Sequence, residues 1–128
     1  MNLLLDTHAF IWWAIDPDKL SVTARVACED PTNRLLLSLV SVWEMQIKTQ
    51  LEKLMLPRPL AELVDHQVRQ NGLQLLPLEL PHIYALQLLP SHHRDPFDRL
   101  IVAQAMTTDL TIITADRAFA AYNVPLLW

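Results

Sequence analysis

Five short apolar runs, separated by helical patterns, constrain this chain more than any other feature. They are Asn2–Leu5, Leu35–Leu37, Leu73–Leu76, Thr111–Thr114 and Pro125–Leu127. Within each, apolar residues follow one another almost without interruption instead of alternating. Strands of that kind are buried on both faces, as in a parallel sheet covered by helices. The segments between them read as those helices: Ala9–Ile15, Ser21–Glu29, Ser41–Leu54, Pro59–Asn71, Pro81–Leu89, Phe97–Thr107 and Ala115–Ala121. Ser41–Leu54 is the clearest, with Trp43, Ile47, Leu51 and Leu54 on one stripe. Pro59 marks a first turn and Asn71-Gly72 a stop. The alternation predicts an α/β fold: a three-layer α/β/α sandwich around a central, mostly parallel five-stranded sheet. A chain of 128 residues is the size of one domain, expected to span 1–128.

Composition removes several functional classes. Gly72 is the single glycine, whereas a Walker loop, a dinucleotide fingerprint and a nucleophile elbow each need at least two. Cys28 is the single cysteine, which excludes an internal disulfide and any multi-cysteine metal site. The longest unbroken apolar run, Ala9 to Ile15, is far short of the roughly 18 residues that span a bilayer. With no basic leader after Met1, a soluble, cytoplasmic protein with no membrane partner is expected. The net charge of −4, from 10 basic and 14 acidic residues, argues at face value against a nucleic-acid partner. If four of the acids form one site, 10 remain against 10, a neutral shell around a concentrated negative pocket.

The acids fall at telling places. Asp6 follows the first apolar run directly, and Asp116 lies two residues after Thr114. Glu44 opens the helix after the second run, and Asp95 and Asp98 open the helix before the fourth. Each alone reads as helix punctuation. Asp6 is a cap, and Ser41-Val42-Trp43-Glu44 has the form of a capping box. Asp95-Pro96 is a cap with proline at the first helical position, while Asp98 and Asp116 complement helix dipoles. Taken together they do more. In a parallel sheet all carboxyl ends share one edge, where such folds place their ligand sites. Asp6, Glu44 and Asp116 are expected to converge there, and Asp98 can join them from its helix.

Convergence is costly. Two carboxylates about 4 Å apart repel by roughly 4 kcal/mol at an effective dielectric of 20. A divalent cation removes that penalty, and hard oxygen ligands without cysteine favour Mg²⁺ or Mn²⁺ over zinc. Such ions lower the pKa of bound water and neutralise charge building on a phosphodiester. The chemistry implied is metal-dependent phosphoryl transfer to water. A phosphate-accepting receiver would need a lysine near the last strand, but Lys19, Lys48 and Lys53 all lie in the first half. A haloacid-type phosphatase would want D-x-D where this chain has Asp6-Thr7-His8.

Four segments carry a family resemblance: LLLDTHAFIWW at the start, then SLVSVWEMQIK, HHRDPFDRLIVAQA and TIITADRAFAAYNV. In this order they resemble a PIN domain, more narrowly a VapC-type ribonuclease toxin of a bacterial toxin–antitoxin pair. The resemblance covers nearly the whole chain. It implies a Mg²⁺- or Mn²⁺-dependent endoribonuclease neutralised by a cognate antitoxin, with a homodimer as the default assembly. It maps the family's acidic quartet onto Asp6, Glu44, Asp98 and Asp116 as catalytic and metal-binding residues. Asp98, followed by Leu100-Ile101-Val102-Ala103, fits the third acid better than Asp95. Asp95 and Thr114 are expected to assist from behind the direct ligands. A catalytically inactive scaffold or RNA-binding protein on the same fold is the alternative.

RNA also needs positive contacts outside the acids. Arg94, Arg99, Arg117 and Lys48 lie beside them in sequence and are expected either to meet phosphates or to pair with the neighbouring acids. His92 and His93 read as surface loop residues, and His8 as a local partner or site lining. Phe10, Ile11, Trp12, Trp13 and Ile15 are apolar nearly all round a short helix, so its outer face is read as a partner surface, extended by Met45, Leu51 and Met55. Trp43 is expected in the core, and Trp128 against the edge of the last strand.

Overall fold

The computed structural model describes residues 1–91 and 95–128. Among these, five strands form one sheet: β1 (Asn2–Leu5), β2 (Arg34–Ser38), β3 (Gln74–Leu76), β4 (Thr111–Ile113) and β5 (Leu126–Leu127). Their spatial order is β3-β2-β1-β4-β5. Every neighbouring pair is parallel, so the sheet is wholly and not merely mostly parallel. The α-helices are α1 (Thr7–Ile15), α2 (Val22–Glu29), α3 (Leu39–Gln50), α4 (Leu60–Asn71), α5 (Leu80–Ala85) and α6 (Pro96–Thr108). The segment expected to be helical at Ala115–Ala121 is a 3₁₀ turn, Arg117–Ala121. Gly72 caps α4 in the left-handed region, at φ 67°, where glycine carries no Cβ penalty.

Successive side chains of a strand point to opposite faces, and this splits the interior in two. Leu3 and Leu5 meet Phe10, Ala24, Cys28, Leu35, Leu37 and Met45 on one side. Leu4 meets Leu36, Ile101, Val102, Ile112 and Phe119 on the other. Leu3, Leu4 and Leu5 are completely buried. Each such burial stabilises by about 1.5–3 kcal/mol, which makes β1 the strand on which both helical layers depend. The chain builds outward from β1 through β2 to β3, then returns to β1's other side for β4 and β5. That reversal opens a crevice beyond the carboxyl ends of β1 and β4. A bond from the Asp6 amide to the Ile113 carbonyl, 3.0 Å, extends the β1–β4 pairing to the lip of the crevice.

The start of α3 corrects one expectation. Ser41 does not cap the helix, and no capping box joins it to Glu44. The cap is Ser38, whose Oγ accepts from the Val40 amide at 3.0 Å. Ser41 lies inside α3, fully buried, with its Oγ making no hydrogen bond among the described residues. Helix entry three residues earlier places Glu44 in the second turn and frees its carboxylate from capping. Ser38→Ala is expected to cost about 1 kcal/mol in thermal or denaturant unfolding. Ser41→Ala is expected to be neutral or mildly stabilising, because it removes an unsatisfied buried hydroxyl. A loss at Ser41 equal to that at Ser38 would restore the capping-box reading.

The apolar stripe of α3 is likewise not its core face. Trp43 is 56% exposed, resting edge-on against Phe97 at 5.1 Å, and Leu51 is exposed too. The buried positions of α3 are Val40, Ser41, Glu44 and Met45. Met45, expected on a partner surface, is completely buried, while Met55 is exposed. On α1, Phe10 is buried, and Ile11, Trp12, Trp13 and Ala14 pack partly on the core under β1 and β2. Most of that helix's apolar surface is therefore covered by its own fold. Among the described residues, no helix is long and apolar enough to cross a membrane.

Candidate active site

Asp6, Glu44, Asp98 and Asp116 all line one cleft of about 80 Å³, together with Thr7, His8, Lys48, Asp95 and Phe119. Each acid arrives from a different element. Asp6 follows β1 and caps α1, its Oδ1 accepting from the Ala9 amide at 2.7 Å. Asp116 follows β4 and caps the 3₁₀ turn, accepting from the Ala118 amide at 2.9 Å. Glu44 comes from the second turn of α3. Asp98 comes from the first turn of α6, whose cap is Asp95, with Oδ1 accepting from the Phe97 amide at 2.8 Å. Capping and convergence thus hold at once: the caps fix the carboxylates at the sheet edge.

Hydroxyls orient two of the acids. The Thr114 hydroxyl donates to Asp6 Oδ2 and accepts from the Asp116 amide at 3.0 Å, so one side chain ties the ends of β1 and β4 together. Thr7 donates to Glu44 Oε1 at 2.6 Å, and Lys48 Nζ donates to Oε2, also at 2.6 Å. Thr7 was missed in the sequence. The signal available was a hydroxyl residue directly after a strand-end aspartate, but nothing local indicates that it reaches a residue on α3.

The acids perturb one another. Burial pushes the Asp6 carboxyl above its ordinary range, against the pull of Thr114 and the Ala9 amide. Asp98 is pushed up to about 7, first by burial and then by the charges of Asp95, Glu44, Asp6 and Asp116. The bond to Glu44 raises the Lys48 ammonium. The cleft is therefore a site where negative charge is held under strain and a cation is welcome.

The donors are all hard oxygens, the kind Mg²⁺ and Mn²⁺ take. Among the described residues no three carboxylate, imidazole or thiol groups form a ready-made metal cage. Mg²⁺ does not require one, since it keeps several waters and binds through one or two carboxylates. The residues present fit such an ion in donor chemistry and in charge.

The basic residues divide. Lys48 lines the cleft, paired with Glu44 as the i,i+4 spacing allows. Arg117 is exposed beside Asp116 and makes no ion pair among the described residues. Arg99 is used elsewhere: it donates to the carbonyls of Pro90 at 2.9 Å and Leu86 at 3.2 Å, pinning the segment before α6. Among the described residues it neither pairs with an acid nor lines the cleft. Arg94, His92 and His93 lie outside the described residues. His8 lines the cleft and stands 5.9 Å from the Trp12 ring. Trp128 packs on Trp12 at 5.7 Å.

A wholly parallel α/β sandwich, with acids gathered at the switch point of its sheet, is the architecture that the sequence resemblance implied. The PIN domain family model matches residues 3–125, and the chain belongs to that family. It is 32% identical over 130 residues to Ribonuclease VapC22 of Mycobacterium tuberculosis, covering 97% of this chain and 94% of that one. Among solved structures it resembles VapBC2 from Rickettsia felis bound to a DNA fragment of its promoter. The TM-score is 0.73 at 17% identity, over 98% of this chain and 97% of that one. It also resembles FitAcB from Neisseria gonorrhoeae, with a TM-score of 0.63 at 21% identity over 97% and 95% of the two chains.

Proposed function

We propose that this protein is the toxin of a bacterial toxin–antitoxin pair. In this reading it is an endoribonuclease that hydrolyses RNA phosphodiester bonds with Mg²⁺ or Mn²⁺ and is neutralised by a cognate antitoxin. The observation that carries the reading is the meeting of Asp6, Glu44, Asp98 and Asp116 in one cleft at the β1–β4 crevice. Identity to a ribonuclease of the same family supports the activity. A structural neighbour from Mycobacterium tuberculosis in the toxin–antitoxin class supports the partner.

Asp6, Glu44, Asp98 and Asp116 would hold the ion, some directly and some through water. When bound, it supplies Lewis-acid polarisation of a phosphoryl oxygen and a lowered pKa for water. The chain's own groups do the rest. Thr114 fixes Asp6 and the backbone of Asp116, while Thr7 and Lys48 fix both oxygens of Glu44. Asp95 commits Oδ1 to the α6 amides and lines the cleft, where it would assist from behind the direct ligands. Exposed Arg117 and the outer part of Lys48 meet the RNA backbone. The few cations near the cleft suit a short single-stranded stretch better than a duplex footprint.

The test is cleavage of total RNA by the purified protein. Cutting is expected with Mg²⁺ or Mn²⁺ and none in excess chelator. Equal cutting in chelator overturns metal dependence, and no cutting with either ion turns the reading to an inactive scaffold. Light scattering of the same sample reads whether it is the expected dimer.

A further inference from the structure

We propose that the groove beside the carboxylate cleft, built on Trp12 and His8, is a stacking subsite for one base of single-stranded RNA, next to the phosphate that is cut. The proposal rests on the ribonuclease reading above and names how that site holds its substrate.

The groove has a volume of about 370 Å³ and is lined by Asp6, His8, Trp12, Ala115 and Asp116. Asp6, His8 and Asp116 line the carboxylate cleft as well, so the two spaces adjoin. The volume falls in the range that seats a small organic group and not a folded segment. His8 and Trp12 stand one helical turn apart on the same face of α1. The ring of Trp12 lies 5.9 Å from His8 and 5.7 Å from Trp128, giving a row of three rings that leads to the acids. Trp12 is only half-buried and packs against the core beneath it, so its ring is held in place before any ligand arrives. A platform ordered in advance loses little entropy on binding.

Charge decides which part of a nucleotide enters. Asp6 and Asp116 line the groove, while Lys48 lines the cleft but not the groove. A phosphodiester belongs where the acids would hold the ion and Lys48 stands, whereas no lysine or arginine is among the described residues lining the groove. A neutral base needs no cation and stacks on aromatic rings whatever its sequence. The phosphate therefore belongs in the cleft and the base on the rings. Only an unpaired base can reach them, because bases in a duplex are stacked inside it.

Uridine octamers carrying one 2-aminopurine at successive positions test this, with Ca²⁺ as the divalent ion and gels to verify that they stay uncut. One position is expected to show quenched 2-aminopurine fluorescence with the unaltered protein and with Trp12→Phe, but not with Trp12→Ala. Affinity is expected to fall about tenfold in Trp12→Ala, the effect of losing one base–aromatic stack. An abasic ribose at the quenched position is expected to erase the difference between the two proteins. That change is made in the RNA, so it reads stacking even if Trp12→Ala loosens α1. No quenching at any position, or an affinity gap that persists with the abasic RNA, overturns the subsite. So does a Trp12→Ala defect confined to capture of a co-expressed small protein, which would assign the groove to a protein partner. Cleavage of total RNA in Mg²⁺ keeps the ribonuclease reading separate: its success alongside failed quenching rejects the groove alone.

Discussion

Asp6→Asn is expected to reduce RNA cleavage by at least about a hundredfold while leaving the fold intact. The magnitude follows from the loss of an oriented charged group at a site that works by electrostatics. Asparagine is the informative replacement because Asp6 also caps α1, and asparagine caps a helix about as well as aspartate. Its amide keeps one oxygen for the Ala9 amide, while the negative charge is gone. The melting temperature should therefore change by no more than a few degrees, and expression should no longer arrest growth. A variant that still cuts RNA at the original rate would show that the cleft is not the reaction centre. One that unfolds would leave Glu44→Gln to carry the same comparison, since Glu44 caps nothing.

Affinity for Mg²⁺ is expected to fall about tenfold for each pH unit below 7, and to level off above it. Asp98 titrates at about 7 because burial and four neighbouring carboxylates hold its proton. An ion must displace that proton to bind, which gives the tenfold slope. Without the ion, stability runs the other way. The folded pKa of Asp98 lies above the ordinary value of 3.8, so between about 4 and 7 the native state binds more protons than the unfolded chain. The contribution is present in full at the acidic end and is lost as pH rises through 7. Asp98→Asn is therefore expected to raise the melting temperature of the metal-free protein at pH 8 and not at pH 4. Discounted for partial exposure, the gain is about 1 kcal/mol, or roughly 3–5 °C. Calorimetric titration and thermal melts across pH 4 to 8.5 read both effects. A flat Mg²⁺ affinity, or a melting temperature lowered by Asp98→Asn at pH 8, would contradict the crowding of the acids.

The parts of the fold that were legible in the sequence are those governed by local rules with no competitor. Strands buried on both faces show themselves as unbroken apolar runs, and β1 to β5 lie where those runs lie. Asp6 and Asp95 read correctly as caps because each precedes a helical turn, whereas Asp116, expected within a first turn, is itself the cap of the 3₁₀ turn. Convergence of Asp6, Glu44 and Asp116 followed from parallel topology, while the choice of Asp98 over Asp95 came from the family resemblance. Misreadings concentrate on α3. Ser38 and Ser41 are both plausible caps, and only the register with β2 decides between them. The apolar stripe through Trp43 misled because α3 turns Glu44 inward toward the cleft, inverting the usual rule that the apolar face is the buried one. Arg99 shows the other limit. Its partners are backbone carbonyls of an irregular segment, which no side-chain pattern encodes.

The Thr114 hydroxyl bridges Asp6 to the Asp116 backbone across 108 positions of sequence. During synthesis, Asp6 leaves the ribosome 108 positions ahead of Thr114. Until β4 slots in beside β1, the nascent chain has neither the bridge nor the gathered charges. On the proposed ribonuclease reading, the reaction centre is therefore assembled only after translation has passed Thr114, and the segments made before it carry no finished site.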